Sequence, residues 1–275
     1  MPETIDRLWQ QRYRDSAPQP DAFTPDAVVA TLLRHRSVRA YLDRPLPAGT
    51  LETLLAAAQS AASSSNLQVW SLLAVEDPQR KARLAELANG QAHIRQAPLF
   101  LVWLADFSRI QRQAERREVE LQALPYLDSF LMGAIDAALA AQNAVTAAES
   151  LGLGTVYIGA LRNQLPAVVE ELRLPPLVYP VFGLCVGYAD PDRPAQVKPR
   201  LPQSLILHRE TYALHEQEAQ LIDDYDRAIA AFFAAQGQPS PGWSRQSLER
   251  LKSVATLHGR ERLAEGIRAQ GFPLR

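Results

Sequence analysis

Two short basic segments carry the residue types best suited to chemistry, and the first is His35-Arg36-Ser37-Val38-Arg39. It offers two guanidinium groups, a hydroxyl and an imidazole within five positions. An arginine fork matches phosphate oxygens with two parallel charge-assisted hydrogen bonds, so the segment could clamp a phosphate. Cations are also favourable at a helix C-terminus, where they offset the dipole, and these residues alone favour that plainer interpretation.

The second basic segment is Lys198-Pro199-Arg200-Leu201-Pro202. Because proline fixes the backbone angle φ, a loop with two prolines holds its two cations in place. The loop follows an apolar run that ends near Tyr188, which would let it return to the same end of the domain as the first segment. The presence of both segments strengthens the hypothesis of a bound phosphate.

Several other kinds of site are not expected. Gly152-Leu153-Gly154 follows a predicted helix and precedes a predicted strand, which is the reverse of a dinucleotide-binding turn. The sequence has neither a Walker-type phosphate loop nor a Gly-x-Ser-x-Gly nucleophile elbow. No metal site is expected, because no two histidines have metal-binding helical spacing with a carboxylate; the histidines are His35, His93, His208, His215 and His258.

The composition is that of an ordinary globular protein. The chain has 275 residues, of which 47% are apolar and 21% charged, and its formal net charge is −1. This charge predicts no nucleic-acid or membrane partner and favours small molecules. Cys185 is the only cysteine, the N-terminus lacks the features of a secretory signal, and no apolar run approaches the roughly 20 residues that span a membrane. A reducing, cytoplasmic location is therefore expected.

Helical and strand patterns alternate along the chain. Helices are predicted over residues 4–14, 25–34, 50–62, 126–151, 216–236 and 244–270, and buried strands over residues 69–75, 99–105, 155–158 and 178–188. Residues 16–20 are expected to form a linker, and Thr24 to cap the second helix. Gly152 is expected to end the longest helix in the left-handed conformation. The strand runs are continuously apolar, as expected when helices cover both faces of a sheet, so the class is mixed α and β.

Five motifs occur in a fixed order. They are His35-Arg36-Ser37-Val38-Arg39, Ser63-Ser64-Ser65-Asn66-Leu67-Gln68, Gly90-Gln91-Ala92-His93, the run Ala-Glu-Ser-Leu-Gly-Leu-Gly-Thr-Val-Tyr-Ile-Gly-Ala-Leu-Arg-Asn at residues 148–163, and Lys198-Pro199-Arg200-Leu201-Pro202. In this order they resemble the nitroreductase family, and most closely its NADPH-dependent, oxygen-insensitive nitroreductase and flavin reductase branch. The resemblance covers about residue 27 to the C-terminus. We therefore expect an N-terminal extension over residues 1–24 and one domain with a C-terminal helical excursion over residues 25–275.

The resemblance implies an α+β fold in which a mostly antiparallel central sheet is flanked by helices. It also implies an intertwined homodimer with FMN in clefts at the subunit interface. Carried over position by position, it assigns the FMN phosphate to His35, Arg39, Lys198 and Arg200. Arg36 and Ser37 would contribute to the phosphate and pyrimidine side of the cofactor.

The remaining assignments concern the flavin ring. Ser63, Ser64 and Ser65 would contact it from the other subunit, and Gln91 would bond its polar edge. Backbone N–H groups in the turn formed by Tyr157, Ile158, Gly159 and Ala160 would point toward the flavin N5. Ala160 replaces the usual second glycine of the family, a change that should be tolerated unless this residue needs a positive φ.

The activity that the resemblance implies is FMN-dependent oxidation of NADPH or NADH with reduction of small aromatic acceptors such as nitroaromatics, quinones or flavins. The cycle would be ping-pong, and no side chain need act as a nucleophile. One alternative is a flavin-binding protein without this activity, either a redox sensor or a protein that processes flavin. A more distant alternative is a helical module that binds a phosphate ligand without flavin.

The choice of electron donor is left open by a departure from the family pattern. In the NADPH-preferring branch a loop between the last helices carries arginines that meet the 2′-phosphate. Here the loop Gly237-Gln238-Pro239-Ser240-Pro241-Gly242 has none. Arg245 is the nearest substitute, and on this basis NADPH is the first expectation, with NADH as the alternative.

Overall fold

A computed structural model describes residues 5–14 and 26–275 of the chain. The helices are α1 (Ile5–Tyr13), α2 (Ala27–Arg34), α3 (Thr50–Gln59), α4 (Pro78–Leu87), α5 (Ala92–Gln96), α6 (Ser108–Arg116), α7 (Leu127–Ser150), α8 (Leu165–Glu171), α9 (Glu218–Ala234), α10 (Trp243–Leu251) and α11 (Leu263–Ala269). The strands are β1 (Trp70–Val75), β2 (Leu99–Asp106), β3 (Gly154–Ile158) and β4 (Val178–Gly187). Short 3₁₀ turns cover Ser64–Asn66, Gly159–Arg162, Gln203–Leu205, Val254–Leu257 and Arg260–Arg262.

The described residues divide into two compact units. The first contains the described residues up to Arg36 together with Gln196–Leu257, and so includes α1, α2, α9 and α10. The second contains Ser37–Ala195 and His258–Arg275, and so includes the sheet and the other helices.

The sheet of the second unit has the strand order β1-β2-β4-β3, and each neighbouring pair is antiparallel. Strand β2 is buried along its whole length because its alternate residues enter two different cores. Phe100 and Val102 pack in a core that includes residues of α4 and α8, whereas Leu101 and Trp103 pack in a core that includes residues of α3 and α7. This burial on both faces explains the continuously apolar run of β2, whereas the prediction of a buried strand was only partly right for β1, whose residues are mostly half-buried. The antiparallel sheet with helices packed on it confirms the predicted α+β class.

Helix α7 packs against one face of this sheet. Its buried alanines, Ala137, Ala140, Ala141, Ala144 and Ala148, belong to the core that contains Leu101 and Trp103. Gly152 follows the helix with φ +78°, which confirms the predicted left-handed stop. Within the described chain, α7 is also the one helix long and apolar enough to cross a bilayer by length and composition.

In the first unit, α9 and α10 are joined through one carboxylate. Asp226 of α9 accepts a hydrogen bond from the backbone N–H of Ser244 at 2.8 Å and another from the Ser244 hydroxyl, at the first turn of α10. The rings of Tyr225 and Trp243 meet edge to face nearby, with centroids 5.9 Å apart. These contacts fix the start of α10 on α9.

Two helix predictions were wrong in detail. The N-cap of α2 is Asp26, whose carboxylate accepts a hydrogen bond from the Val29 N–H at 2.9 Å; the predicted cap Thr24 and the predicted linker at residues 16–20 lie outside the described residues. The predicted helix over residues 244–270 is broken into α10, two 3₁₀ turns and α11. One break is at Gly259, where φ is +93° and an added Cβ would lie 2.4 Å from the Asn163 carbonyl oxygen. Only glycine fits such a close backbone approach without displacement.

Candidate functional site

The end of the first basic segment lies along β3 in the second unit. Ser37 forms a parallel bridge with Thr155, and the Val38 N–H donates to the Thr155 carbonyl at 2.8 Å. Val38 is buried, whereas Ser37 is half-buried and Arg39 is exposed. Gly154 permits this approach, because an added Cβ would lie 2.6 Å from a Val38 methyl carbon. Val38 thus anchors the segment, while the neighbouring side chains of Ser37 and Arg39 remain at least partly accessible to solvent.

Strand β3 leads directly into the turn predicted to face a flavin. Ile158 ends the strand, and the 3₁₀ turn Gly159–Arg162 follows at once. Arg162 donates to the Val181 carbonyl of β4, which ties this turn to the sheet. Ala160 does not have a positive φ, so the alanine at the family's second glycine position causes no backbone strain.

Gln91 and His93 belong to the short helix that follows α4. Gln91 is half-buried and is the N-cap residue of α5, and His93 lies in the first turn. Burial, and secondarily the positive charge of Arg39, lower the pKa of His93, which favours the neutral imidazole. His93 Nε2 is buried and has no hydrogen-bond partner among the described residues. A buried polar atom of this kind is commonly paired by water or by a ligand.

The serine loop at Ser63, Ser64 and Ser65 is held by a residue that the sequence did not single out. Asp136 of α7 is 1% exposed and accepts hydrogen bonds from the Ser63 hydroxyl at 2.6 Å and the Ser64 N–H at 3.0 Å. Ser65 has φ +48° and Asn66 has φ +54°, so the backbone of the loop has a left-handed conformation that residues other than glycine rarely adopt. The buried carboxylate of Asp136 holds the loop in this conformation through its two hydrogen bonds. No local sequence signal identifies Asp136, because its partners lie 72 and 73 residues away.

Replacing Asp136 with Asn is expected to lower the free energy of unfolding by about 1–3 kcal/mol, since one of the two donors to this buried position would then face an N–H₂ group. Urea denaturation of the variant and the unchanged protein measures this difference. Asp128→Asn is the matched control, because Asp128 is an exposed acid in the first turn of the same helix. Equal stability losses in the two variants would contradict the anchoring role of Asp136.

A cleft of about 620 Å³ opens beside the serine loop in the second unit. Its lining combines Ser63 and Gln68 of the loop with Trp70 of β1 and Arg109 of α6. Arg109 donates to the Gln68 carbonyl at 3.1 Å and to the Ser71 hydroxyl at 3.1 Å. The cleft therefore has an aromatic wall and a cationic side chain held in position, a combination suited to a flat, polar-edged ligand.

In the first unit, the beginning of the first basic segment lies at the C-terminus of α2. His35 is the C-cap residue, with its N–H donating to the Leu32 carbonyl, and Arg36 follows as an exposed residue. Arg12 of α1 donates to the carbonyl oxygens of Leu33 and His35, each at 2.9 Å. The end of α2 is thus stabilised by a guanidinium from a preceding helix, another contact without a sequence signal.

The second basic segment is held firmly in the same unit. Lys198 and Arg200 are exposed and flank the buried Pro199, whose carbonyl accepts a hydrogen bond from the Tyr225 hydroxyl at 3.0 Å. The Lys198 ammonium lies 4.9 Å from the centroid of the Phe233 ring. Both cations line a cavity of about 770 Å³ with Tyr13, Leu201, Gln203, Ile206, Leu207, Tyr225 and Trp243. These contacts, and not the prolines alone, hold the backbone of this loop in place.

The outer face of α7 carries an apolar stripe at four-residue spacing. Leu127, Leu131, Ile135 and Leu139 are 47%, 45%, 55% and 45% exposed. The opposite face of the same helix is buried against the sheet. An exposed apolar stripe of this kind is typical of a protein interaction surface.

Comparisons with known proteins extend over most of the chain. The model described as "Nitroreductase family" matches residues 32–188, and the model described as "Nitroreductase family, C-terminal domain" matches residues 198–275. An FMN reductase [NAD(P)H] of Bacillus subtilis (strain 168) is 39% identical over 248 residues, which are 89% of this chain and 97% of the relative. An oxygen-insensitive NADPH nitroreductase of Salmonella typhimurium is 36% identical over 249 residues, which are 90% of this chain and 98% of the relative.

A solved structure extends the likeness to three dimensions. The hypothetical oxidoreductase YcnD from Bacillus subtilis superposes with a TM-score of 0.86 at 35% identity. The match covers 91% of this chain and 100% of that one.

Proposed function

Since this chain belongs to the nitroreductase family, we propose that it oxidises NADPH or NADH and reduces a small aromatic acceptor through bound FMN. The protein is an oxidoreductase of the NAD(P)H-dependent, FMN-using kind, and its acceptors are nitroaromatics, quinones or flavins. Bound FMN would supply the two-electron chemistry by accepting hydride at N5 and passing electrons to the acceptor. We assign the protein to the cytoplasm, residues 1–24 to an extension and residues 25–275 to the FMN-binding domain.

The observation that carries the proposal is the supported cationic loop at Lys198 and Arg200. Both side chains are exposed at the edge of a cavity while the backbone between them is buried and hydrogen-bonded. Cations on such a fixed loop suit a phosphate, because the loop loses little conformational freedom when the phosphate binds. We assign the FMN phosphate to His35, Arg39, Lys198 and Arg200, with Arg36 and Ser37 on the phosphate and pyrimidine side.

The fit to the ring of FMN is supported by the second unit. The turn after β3 begins a 3₁₀ helix, whose first N–H groups have no partner within the helix and can donate to a ligand. We assign to this turn, formed by Tyr157, Ile158, Gly159 and Ala160, the orientation of the flavin N5 edge. Gln91 bonds the polar edge of the ring. The neighbouring His93 Nε2, buried and without a partner among the described residues, fits a site that is completed by a ligand.

The serine loop is assigned to the flavin of the other subunit in a homodimer. The exposed stripe on α7 is the feature that supports dimerisation, because four large apolar side chains on one helix face would be covered by a second copy. Asp136 lies on the same helix as this stripe and holds Ser63 and Ser64. In this arrangement the helix that forms the interface also orients the serine loop.

The function is tested by the flavin content and the steady-state kinetics of the purified protein. The expected result is close to one FMN per chain, with continuous oxidation of NADPH or NADH only when an acceptor such as a nitroaromatic, a quinone or free flavin is present. Double-reciprocal plots at several acceptor concentrations are expected to be parallel, because the donor leaves before the acceptor binds. Intersecting lines, or FMN-loaded protein that turns over with neither nicotinamide, would contradict the proposal.

The preference for NADPH over NADH is expected to depend on Arg245. This residue is exposed in the first turn of α10, whose start is fixed by the hydrogen bonds from Ser244 to Asp226. Replacing Arg245 with Met is expected to lower the ratio of kcat/KM for NADPH over NADH by about tenfold or more, as for a lost charge-assisted bond to phosphate. Arg250→Met, an exposed cation in the last turn of the same helix, is the control. An unchanged ratio in the Arg245 variant would reject this role.

A further inference from the structure

We propose that Arg12 is a positioning residue that holds both basic segments in the conformation that binds the FMN phosphate, an inference that rests on the function proposed above. Arg12 lies on α1 and is only 5% exposed, although arginine is among the residues least often buried. Its burial therefore calls for a structural reason.

The contacts of Arg12 join the two segments directly. One terminal nitrogen, Nη1, donates to the Lys198 carbonyl at 2.9 Å, and the other, Nη2, donates to the carbonyls of Leu33 and His35, each at 2.9 Å. The backbone carbonyl of Arg12 in turn accepts from the Arg200 N–H at 2.9 Å. One residue thus bonds the backbone of His35, Lys198 and Arg200, three of the four residues assigned to the phosphate.

The charge of Arg12 also removes an electrostatic conflict. The last carbonyl groups of a helix have no partner within it, and the helix dipole makes this end negative. The Leu33 carbonyl and the His35 segment lie at this end of α2, so a phosphate bound beside them would be repelled. The Arg12 guanidinium neutralises these oxygens, which reduces the repulsion of an anion bound beside them.

Helix α1 lies outside the family match, since the first family model begins at residue 32. The match to the FMN reductase described above spans 97% of that relative but only 89% of this chain. Both basic segments therefore fall within the family matches, whereas Arg12, which cross-links them, lies in a part of this chain that the family models do not include.

The test compares the affinities of FMN and riboflavin for the deflavinated full-length protein and its variants. Riboflavin lacks only the phosphate, so it reports binding of the ring and the ribityl chain without the phosphate. Arg12→Met is expected to raise the Kd for FMN by at least ~10-fold, equivalent to about 1.4 kcal/mol, while the Kd for riboflavin changes less than about twofold. Arg14→Met is the matched control, because Arg14 is an exposed arginine two positions later, and its FMN affinity is expected to be unchanged.

Each outcome decides the inference. An unchanged FMN affinity in Arg12→Met, or an equal loss for FMN and riboflavin, would overturn it, because the second result indicates general loosening of the fold. If Arg12→Met is not recovered folded, Arg12→Lys gives the same comparison; it keeps the charge but lacks the planar fork, and an FMN-selective loss of about threefold is expected. Unchanged protein that binds neither flavin would instead refute the proposed function itself.

Discussion

Replacing Lys198 and Arg200 together with Met is expected to weaken FMN binding by at least ~100-fold. Hydrogen bonds to charged groups contribute about 1.5–3 kcal/mol each, and every 1.4 kcal/mol is a factor of ten in Kd. Both side chains are exposed, so their loss should disturb the fold little beyond the contact of Lys198 with the Phe233 ring. Fluorescence titration of the deflavinated protein with FMN measures the effect.

Two comparisons make this result specific. Riboflavin affinity is expected to stay within about threefold of that of the unchanged protein, because the substituted charges are assigned to the phosphate alone. Arg209→Met removes an exposed cation from the same unit and should leave FMN binding unaltered. If the double variant retained FMN as tightly as the Arg209 variant does, the two cations could not be the phosphate ligands.

Placing glutamates at Leu131 and Ile135 is expected to convert the proposed dimer into monomers. These residues are 45% and 55% exposed in the middle of the apolar stripe on α7, and burying a carboxylate there without a partner would cost several kcal/mol. The monomer should also lose most of its FMN, because the serine loop is assigned to the partner's cofactor. Sedimentation velocity and flavin content measure the two effects.

The matched control keeps the positions and changes only polarity. Leu131→Met with Ile135→Met preserves apolar surface of similar volume, so the dimer and its FMN should both persist. A glutamate variant that stays dimeric would place the interface elsewhere. A monomer that keeps its full FMN content would show that the site is complete in one chain.

The central strands of the sheet were predictable from sequence because β2, and most of β4, are buried on both faces. Continuously apolar runs such as the one at residues 99–105 identify strands whose alternate residues enter separate cores. The ends of helices were less predictable, since Thr24 and Asp26 are both residues of N-cap type and only the structure distinguishes them. The break near Gly259 depends on the approach of the Asn163 carbonyl, a contact between distant parts of the sequence.

Residues of the proposed site could be assigned from sequence only where they form local motifs. The segments around His35, Ser63, Gln91, Tyr157 and Lys198 could be identified by their order along the chain. Arg12 and Asp136 could not, because their hydrogen-bond partners are as many as 186 and 73 residues away and neither stands in a recognisable pattern. Such supporting residues are determined by tertiary contacts, which a single sequence does not reveal.

Anaerobic titration of the purified holoprotein with NADPH, repeated with NADH, tests the central claim most directly. The visible flavin absorbance is expected to bleach with about one equivalent of nicotinamide per FMN and to return when a nitroaromatic or quinone is added. Recovery of colour by the acceptor alone would establish both halves of the reaction on one protein. Flavin-loaded protein that neither nicotinamide bleaches, or colourless protein that takes up no added FMN, would contradict the assignment of this chain as an FMN-dependent oxidoreductase.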